Sequence, residues 1–100
     1  LSHVKVEESL LDYLVALTAK SRNISDVSLG ASPRAGLAWL AAAKAHAAIE
    51  GRDFVTPDNI KFVAEPVLRH RLILTAESEL DGVTVSQVIA NLLRQVPVPR

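Results

Sequence analysis

Ser32-Pro33, followed by an alanine-rich run that ends at Gly51, fixes a helix with defined ends in the middle of this chain. Serine supplies a side-chain oxygen to an orphan backbone N–H. Proline fits the first helical position, where an N–H would have no partner anyway. Glycine suits the left-handed residue just past a helix end. The spacing predicts a helix from Pro33 to about Glu50, apolar nearly all round. One side carries Ala38, Trp39, Ala42, Ala45 and Ile49, the other Leu37, Leu40, Ala41 and Ala48. Such a helix belongs at the centre of a helical domain, with alanine letting its neighbours pack close. Lys44 and His46 interrupt it, and no apolar run in the chain reaches the roughly 18–20 residues of a membrane span.

Three further segments carry a helical period. The first runs from about Lys5 to Ser21, with Leu10, Leu14 and Leu17 on one stripe and Leu11 and Val15 beside it. A loop from Asn23 to Ala31 follows. Thr56-Pro57-Asp58 then repeats the start signal, and Ile60, Val63, Ala64, Val67 and Leu68 keep register across Pro66. That proline predicts a kink or a restart, because it has no N–H to give and crowds the preceding turn. Leu72-Ile73-Leu74 is a candidate short strand, with Asp53-Phe54-Val55 its candidate partner. Thr75 to Gly82 reads as an acidic loop. Thr84 and Gln87 fit a capping box opening a last helix, with Val85, Val88, Ile89, Leu92, Leu93 and Val96 on one stripe. The expected fold is all-α: one four-helix domain over residues 1–100, with room for a two-stranded ribbon.

Charge and composition remove several functions. Eleven Lys and Arg balance eleven Asp and Glu, so the surplus of positive charge that non-specific nucleic-acid binding needs is missing. There is no cysteine, hence no disulfide framework and no thiolate metal site. His3, His46 and His70 lack metal-ligand spacing, so no metal site is expected. Trp39 reads as core, His46 as a partly buried histidine, Lys44 as a snorkelling side chain, and Arg52 beside Asp53 as a turn charge pair. A phosphate loop of the form G-x-x-x-x-G-K-[ST] is absent, as is an apolar strand ending in an acidic pair. The chain is therefore not expected to be an enzyme by itself. It opens on Leu1, with no signal peptide, and reads as a piece of a longer cytoplasmic protein.

Leu29-Gly30-Ala31-Ser32-Pro33-Arg34-Ala35 resembles the sensor 2 motif of MoxR-type AAA+ ATPases. Gly51 to Asp58 and Pro66-Val67-Leu68-Arg69-His70-Arg71-Leu72 resemble two later blocks of that family's C-terminal lid domain, in the same order and spacing. The closing Val96-Pro97-Val98-Pro99 is similar too. The chain departs from the family pattern at Ser21-Arg22, where Thr-Arg is usual, at Ile24-Ser25, where His-Pro is common, and at Asn59, where a second acid is usual.

The resemblance implies a lid whose Arg34 contacts nucleotide phosphate, in cis or in trans, with Ser32 and Pro33 forming the rest of the nucleotide-binding turn. Arginine suits that task, being permanently charged and able to hold two phosphate oxygens at once. The helix N-terminus adds free N–H groups and a positive dipole end. Gly30-Ala31 is slim enough to let another domain approach. Arg69-His70-Arg71 is a basic cluster suited to lining a subunit interface, with Arg69 and Arg71 the candidate interface residues, or to neutralising phosphate; the alternative is that the two arginines are solvated charges at a helix end. ATP and Mg2+ would be held mainly by an upstream AAA+ core. The implied assembly is a homo-hexamer with chaperone-like remodelling activity, working with a von Willebrand factor A domain protein. Two other readings stay open: a helical protein-docking module, and a histone-fold-like module built on the long central helix and Arg52…Val55-Thr56…Asp58.

Overall fold

The computed structural model describes residues 3–99. Helix α1 spans Glu8–Ser21, strand β1 Val27–Leu29 and helix α2 Pro33–Ile49. Helices α3, Pro57–Phe62, and α4, Ala64–Leu68, follow. Strand β2, Ile73–Leu74, helix α5, Ala76–Leu80, and helix α6, Val85–Gln95, complete the chain.

Helix α2 is central and packs against α1, α3 and α4. Its buried line is Ala35, Trp39, Ala43 and Ala47, four residues apart, so one narrow stripe faces the neighbours. The alanines let those neighbours approach closely. Trp39 fills the space between them, fully buried, and its Nε1–H donates to the Ile60 carbonyl at 2.8 Å. The expectation that α2 would be buried on most sides is corrected: Leu37 and Ile49 are 70% and 84% exposed. The helix stops as expected. Gly51 has φ +82°, its N–H bonds the Ala48 carbonyl, and the Arg52 N–H bonds that of Ala47. Those two bonds form a Schellman motif, and only glycine adopts that φ without strain.

The expected Pro57–Leu68 helix is two helices. Pro66 cannot donate to the Phe62 carbonyl and its ring crowds it, so the helix breaks at Val63 and restarts one residue later. The stretch from Thr75 to Gly82 is not a loop but contains α5. The Thr75 hydroxyl accepts the Ser78 N–H at 3.1 Å, and Gly82, at φ +83°, ends the helix with a second Schellman pair.

The ribbon forms with a different partner from the expected one. Strand β2 pairs antiparallel with β1, Val27 opposite Leu74 and Leu29 opposite Ile73, with an irregularity between them. The Ser28 hydroxyl bonds the Ile73 carbonyl there at 3.1 Å. Asp53–Val55 instead brackets Lys5: the Lys5 N–H reaches the Asp53 carbonyl at 2.8 Å, and the Val55 N–H reaches that of Lys5 at 2.9 Å. Lys5 is thereby outside α1, which starts three residues later than expected.

Candidate functional site at the start of the central helix

The approach to α2 is fastened to the end of α1. Ala31 is fully buried; its N–H donates to the Ser21 hydroxyl at 3.0 Å and its carbonyl accepts from Arg22 Nη1 at 2.7 Å. Ser21, also fully buried, donates to the Thr18 carbonyl at 2.6 Å. Gly30 completes the clamp. A Cβ there would lie 2.6 Å from the Ser21 carbonyl oxygen and 2.7 Å from Arg22 backbone atoms, so a side chain would force the backbone apart. The space left at Gly30 is thus taken up by the end of α1 of the same chain.

Beyond the clamp, Ser32 caps α2. Its hydroxyl accepts the Ala35 N–H at 3.2 Å and its carbonyl the Gly36 N–H at 3.2 Å. Pro33 has no N–H. The Arg34 N–H is therefore the first-turn donor left without a partner among the described residues. The Arg34 side chain is exposed. Among the described residues the ion pairs are His46–Glu50, Arg52–Glu50 and Arg69–Glu65, and none engages Arg34 or Arg71.

Arg34 lines a groove of about 320 Å³. Ser32, His70 and Arg71 line the same groove, and Leu29 and Ile73 supply its apolar wall. The ribbon makes this juxtaposition: pairing Leu29 with Ile73 brings the residues before α2 beside those after α4. The two candidate interface arginines separate here. Arg69 pairs with Glu65 at 3.5 Å, one turn earlier on the same helical face, and does not line the groove. Arg71 does line it, with Nη1 anchored on the Val67 carbonyl at 2.7 Å. Pro33 faces the other way, into an apolar groove of about 280 Å³ between α1 and α2, where Leu11, Val15, Leu37 and Leu40 also lie.

His46 is half-buried, as expected, and is held by Asn59. The Asn59 amide lies 2.8 Å from His46 Nδ1 and donates to Glu50 Oε1 at 2.9 Å, while its Oδ1 accepts the Thr56 N–H at 2.8 Å. The Phe62 ring stacks on His46 at 4.1 Å. Arg52 pairs with Glu50 at 2.8 Å instead of with its neighbour Asp53, a correction to the expected turn pair. No group of three or more potential metal-ligating side chains occurs among the described residues, and no helix there is long and apolar enough to cross a membrane.

Reading the sequence alone missed Ser21 and Arg22 as parts of this region. The available signal was Ser21-Arg22 itself: a hydroxyl and a cation at a helix end, ten residues before a Ser-Pro cap.

Residues 19–92 match the AAA lid domain family. The chain is 34% identical over 97 residues to YeaC of Bacillus subtilis, covering 97% of this chain and 30% of that protein. It is 38% identical over 104 residues to Chaperone MoxR1 of Mycobacterium tuberculosis, covering 95% of this chain and 28% of that one. The crystal structure of a "putative ATPase" from Cytophaga hutchinsonii superposes with a TM-score of 0.93 at 35% identity, over 99% of this chain and 33% of the other. This chain thus spans about a third of the length of the proteins it matches. With a family match across most of its length and a fold shared nearly end to end with a larger ATPase-like chain, it belongs to the AAA lid domain family, in the form found in MoxR-like ATPases.

Proposed function

We propose that this chain is the nucleotide-sensing lid of a MoxR-like AAA+ ATPase, and that Arg34 is its phosphate-contacting residue. The observation that carries the reading is the placement of Arg34: an exposed guanidinium with no acidic partner among the described residues, on a helix start whose backbone is clamped to α1. A clamped backbone matters because a charge aimed at a transition state acts best when it needs no rearrangement. Phosphoryl transfer spreads negative charge over the equatorial oxygens of the γ-phosphate, and a guanidinium fork matches that charge. The Arg34 N–H and the dipole of the 17-residue α2 favour an anion at the same place.

The donors in the groove suit phosphate and not a magnesium ion: Arg34, Arg71 and His70 line it, with no carboxylate beside them. Mg2+, and most of the hold on ATP, fall in this reading to an AAA+ core supplied by the rest of the parent protein. Because α2 packs against α1, α3 and α4, a pull on its first turn moves the lid as one body. In a hexameric ring that motion passes to the neighbouring subunits and drives chaperone-like remodelling, with a von Willebrand factor A domain protein as a candidate partner.

The test is a distance measurement in the full-length ATPase. Ile49, exposed at the far end of α2, takes a dye as Ile49→Cys, with any cysteine elsewhere in the parent protein first replaced by serine. A second dye goes on the core. ATP and ADP should give different transfer efficiencies, and Arg34→Ala should abolish the difference. An undiminished difference in the Arg34→Ala protein rules out Arg34 as the sensor.

A further inference from the structure

The groove beside α2 contains a second cation, Arg71, to which the nucleotide-sensing reading gives no contact of its own. Arg71 lines it from the segment before β2, as Arg34 lines it from the segment after β1. One amino group of Arg71 is fixed on the Val67 carbonyl, which orders the guanidinium while leaving the rest of its fork free. No ion pair within the described residues neutralises it, whereas Arg69, two residues earlier, is neutralised by Glu65. His70 adds a third nitrogen-bearing side chain to the same lining.

Two like charges held on one small groove repel each other. Solvent screens that repulsion in part, and an anion between them relieves the remainder. The apolar wall of Leu29 and Ile73, 57% and 54% exposed here, sharpens the effect. Once that wall is covered, water is excluded and each charge–phosphate contact strengthens.

We infer that Arg71 is a second phosphate-contacting residue, so that Arg34 and Arg71 together form a two-arginine clamp for the terminal phosphate of a nucleoside triphosphate. This rests on the reading of Arg34 as the nucleotide sensor and extends it to the residues following α4. The clamp makes a divided demand on the nucleotide. A triphosphate carries a γ-phosphate to lie between the two forks, whereas a diphosphate held by the same core ends one phosphate short of them.

The experiment uses the full-length ATPase, with affinities for a fluorescent ATP analogue and for ADP measured separately. The variants are Arg34→Ala, Arg71→Ala, the double variant, and Arg69→Ala as the control from the same cluster. All these positions are exposed, and thermal melts confirm that folding is intact. Arg71→Ala should weaken ATP binding about tenfold, as expected for losing a charge-assisted contact to phosphate. ADP binding should hold, and Arg69→Ala should match wild type. The double variant should lose less than the product of the single losses, because the two forks share one anion. If Arg34→Ala weakens ATP binding and Arg71→Ala does not, the clamp is wrong while the sensor reading stands. If neither changes the preference for ATP over ADP, the sensor reading itself fails. Equal loss of ATP and ADP binding in Arg71→Ala also overturns the clamp, because the contact then lies away from the terminal phosphate.

Discussion

Replacing Ser21 by alanine removes one oxygen and leaves two backbone groups to find new partners. The more costly is the Ala31 N–H, which points into a fully buried site and donates only to that hydroxyl at 3.0 Å. A buried donor left unsatisfied costs about 1–3 kcal/mol. The bond from Ser21 to the Thr18 carbonyl is lost as well, but that carbonyl is one of the last in α1 and has less to lose. A net destabilisation of about 2 kcal/mol follows. For a domain of this size it lowers the melting temperature by about 10 °C. Urea unfolding of the chain, followed by circular dichroism, gives the free energy directly. Ser32→Ala is the useful comparison. It also removes a hydroxyl from the same segment, but from an exposed cap, and should cost about 1 kcal/mol. Ser21→Ala within about 0.5 kcal/mol of wild type, the range of a neutral surface change, would refute the clamp. It would also remove the reason for calling the approach to Arg34 rigid.

Two other substitutions probe polar groups elsewhere. Asn59→Asp takes away the amide that donates to Glu50 Oε1 and faces His46 Nδ1, and sets a second carboxylate about 3 Å from Glu50. It should destabilise the chain by about 2 kcal/mol at neutral pH. The deficit should shrink as pH falls through the carboxylate range, because the crowded pair binds a proton more readily folded than unfolded; equilibrium unfolding at pH 7 and pH 4 checks both points. Tyr13 is buried with its hydroxyl unpartnered among the described residues, and burial pushes the phenol pKa above its ordinary value. Because the folded state holds that proton more tightly, stability should be complete below about pH 10 and fall as pH rises through the raised pKa. Tyr13→Phe should flatten that alkaline decline and leave neutral-pH stability equal or higher; a loss above about 1 kcal/mol would mean the hydroxyl has a partner.

Much of the fold was legible because it rests on local chemistry. Ser32-Pro33, Thr56-Pro57 and Thr84 with Gln87 each start a helix where a side-chain oxygen meets an orphan N–H. The break before Pro66 follows from a missing donor. Long-range pairing was not legible. Strand β2 has two residues, and nothing local in Ile73-Leu74 distinguishes Val27–Leu29 from Asp53–Val55 as a partner. Helix α5 was hidden by its acids, since Glu77 and Glu79 read as loop while they also suit a helix N-terminal turn. For the site, the cap placed Arg34 on the first turn of α2. The groove that joins it to Arg71 depends on the ribbon, so Arg69 and Arg71 could not be told apart by spacing alone. Asn59, a departure from the family's usual acid, has a reason visible only in three dimensions: a carboxylate could not donate to Glu50.

Turnover of the full-length ATPase, wild type against Arg34→Ala, decides whether Arg34 acts on the nucleotide. Circular dichroism confirms that the variant is folded, as it should be with an exposed side chain. Loss of Arg34 should lower steady-state ATP hydrolysis at least tenfold, equivalent to about 1.4 kcal/mol of transition-state stabilisation. Unchanged turnover would contradict the account, leaving Ser32-Pro33-Arg34 as a helix cap and the domain as a docking module without a nucleotide link.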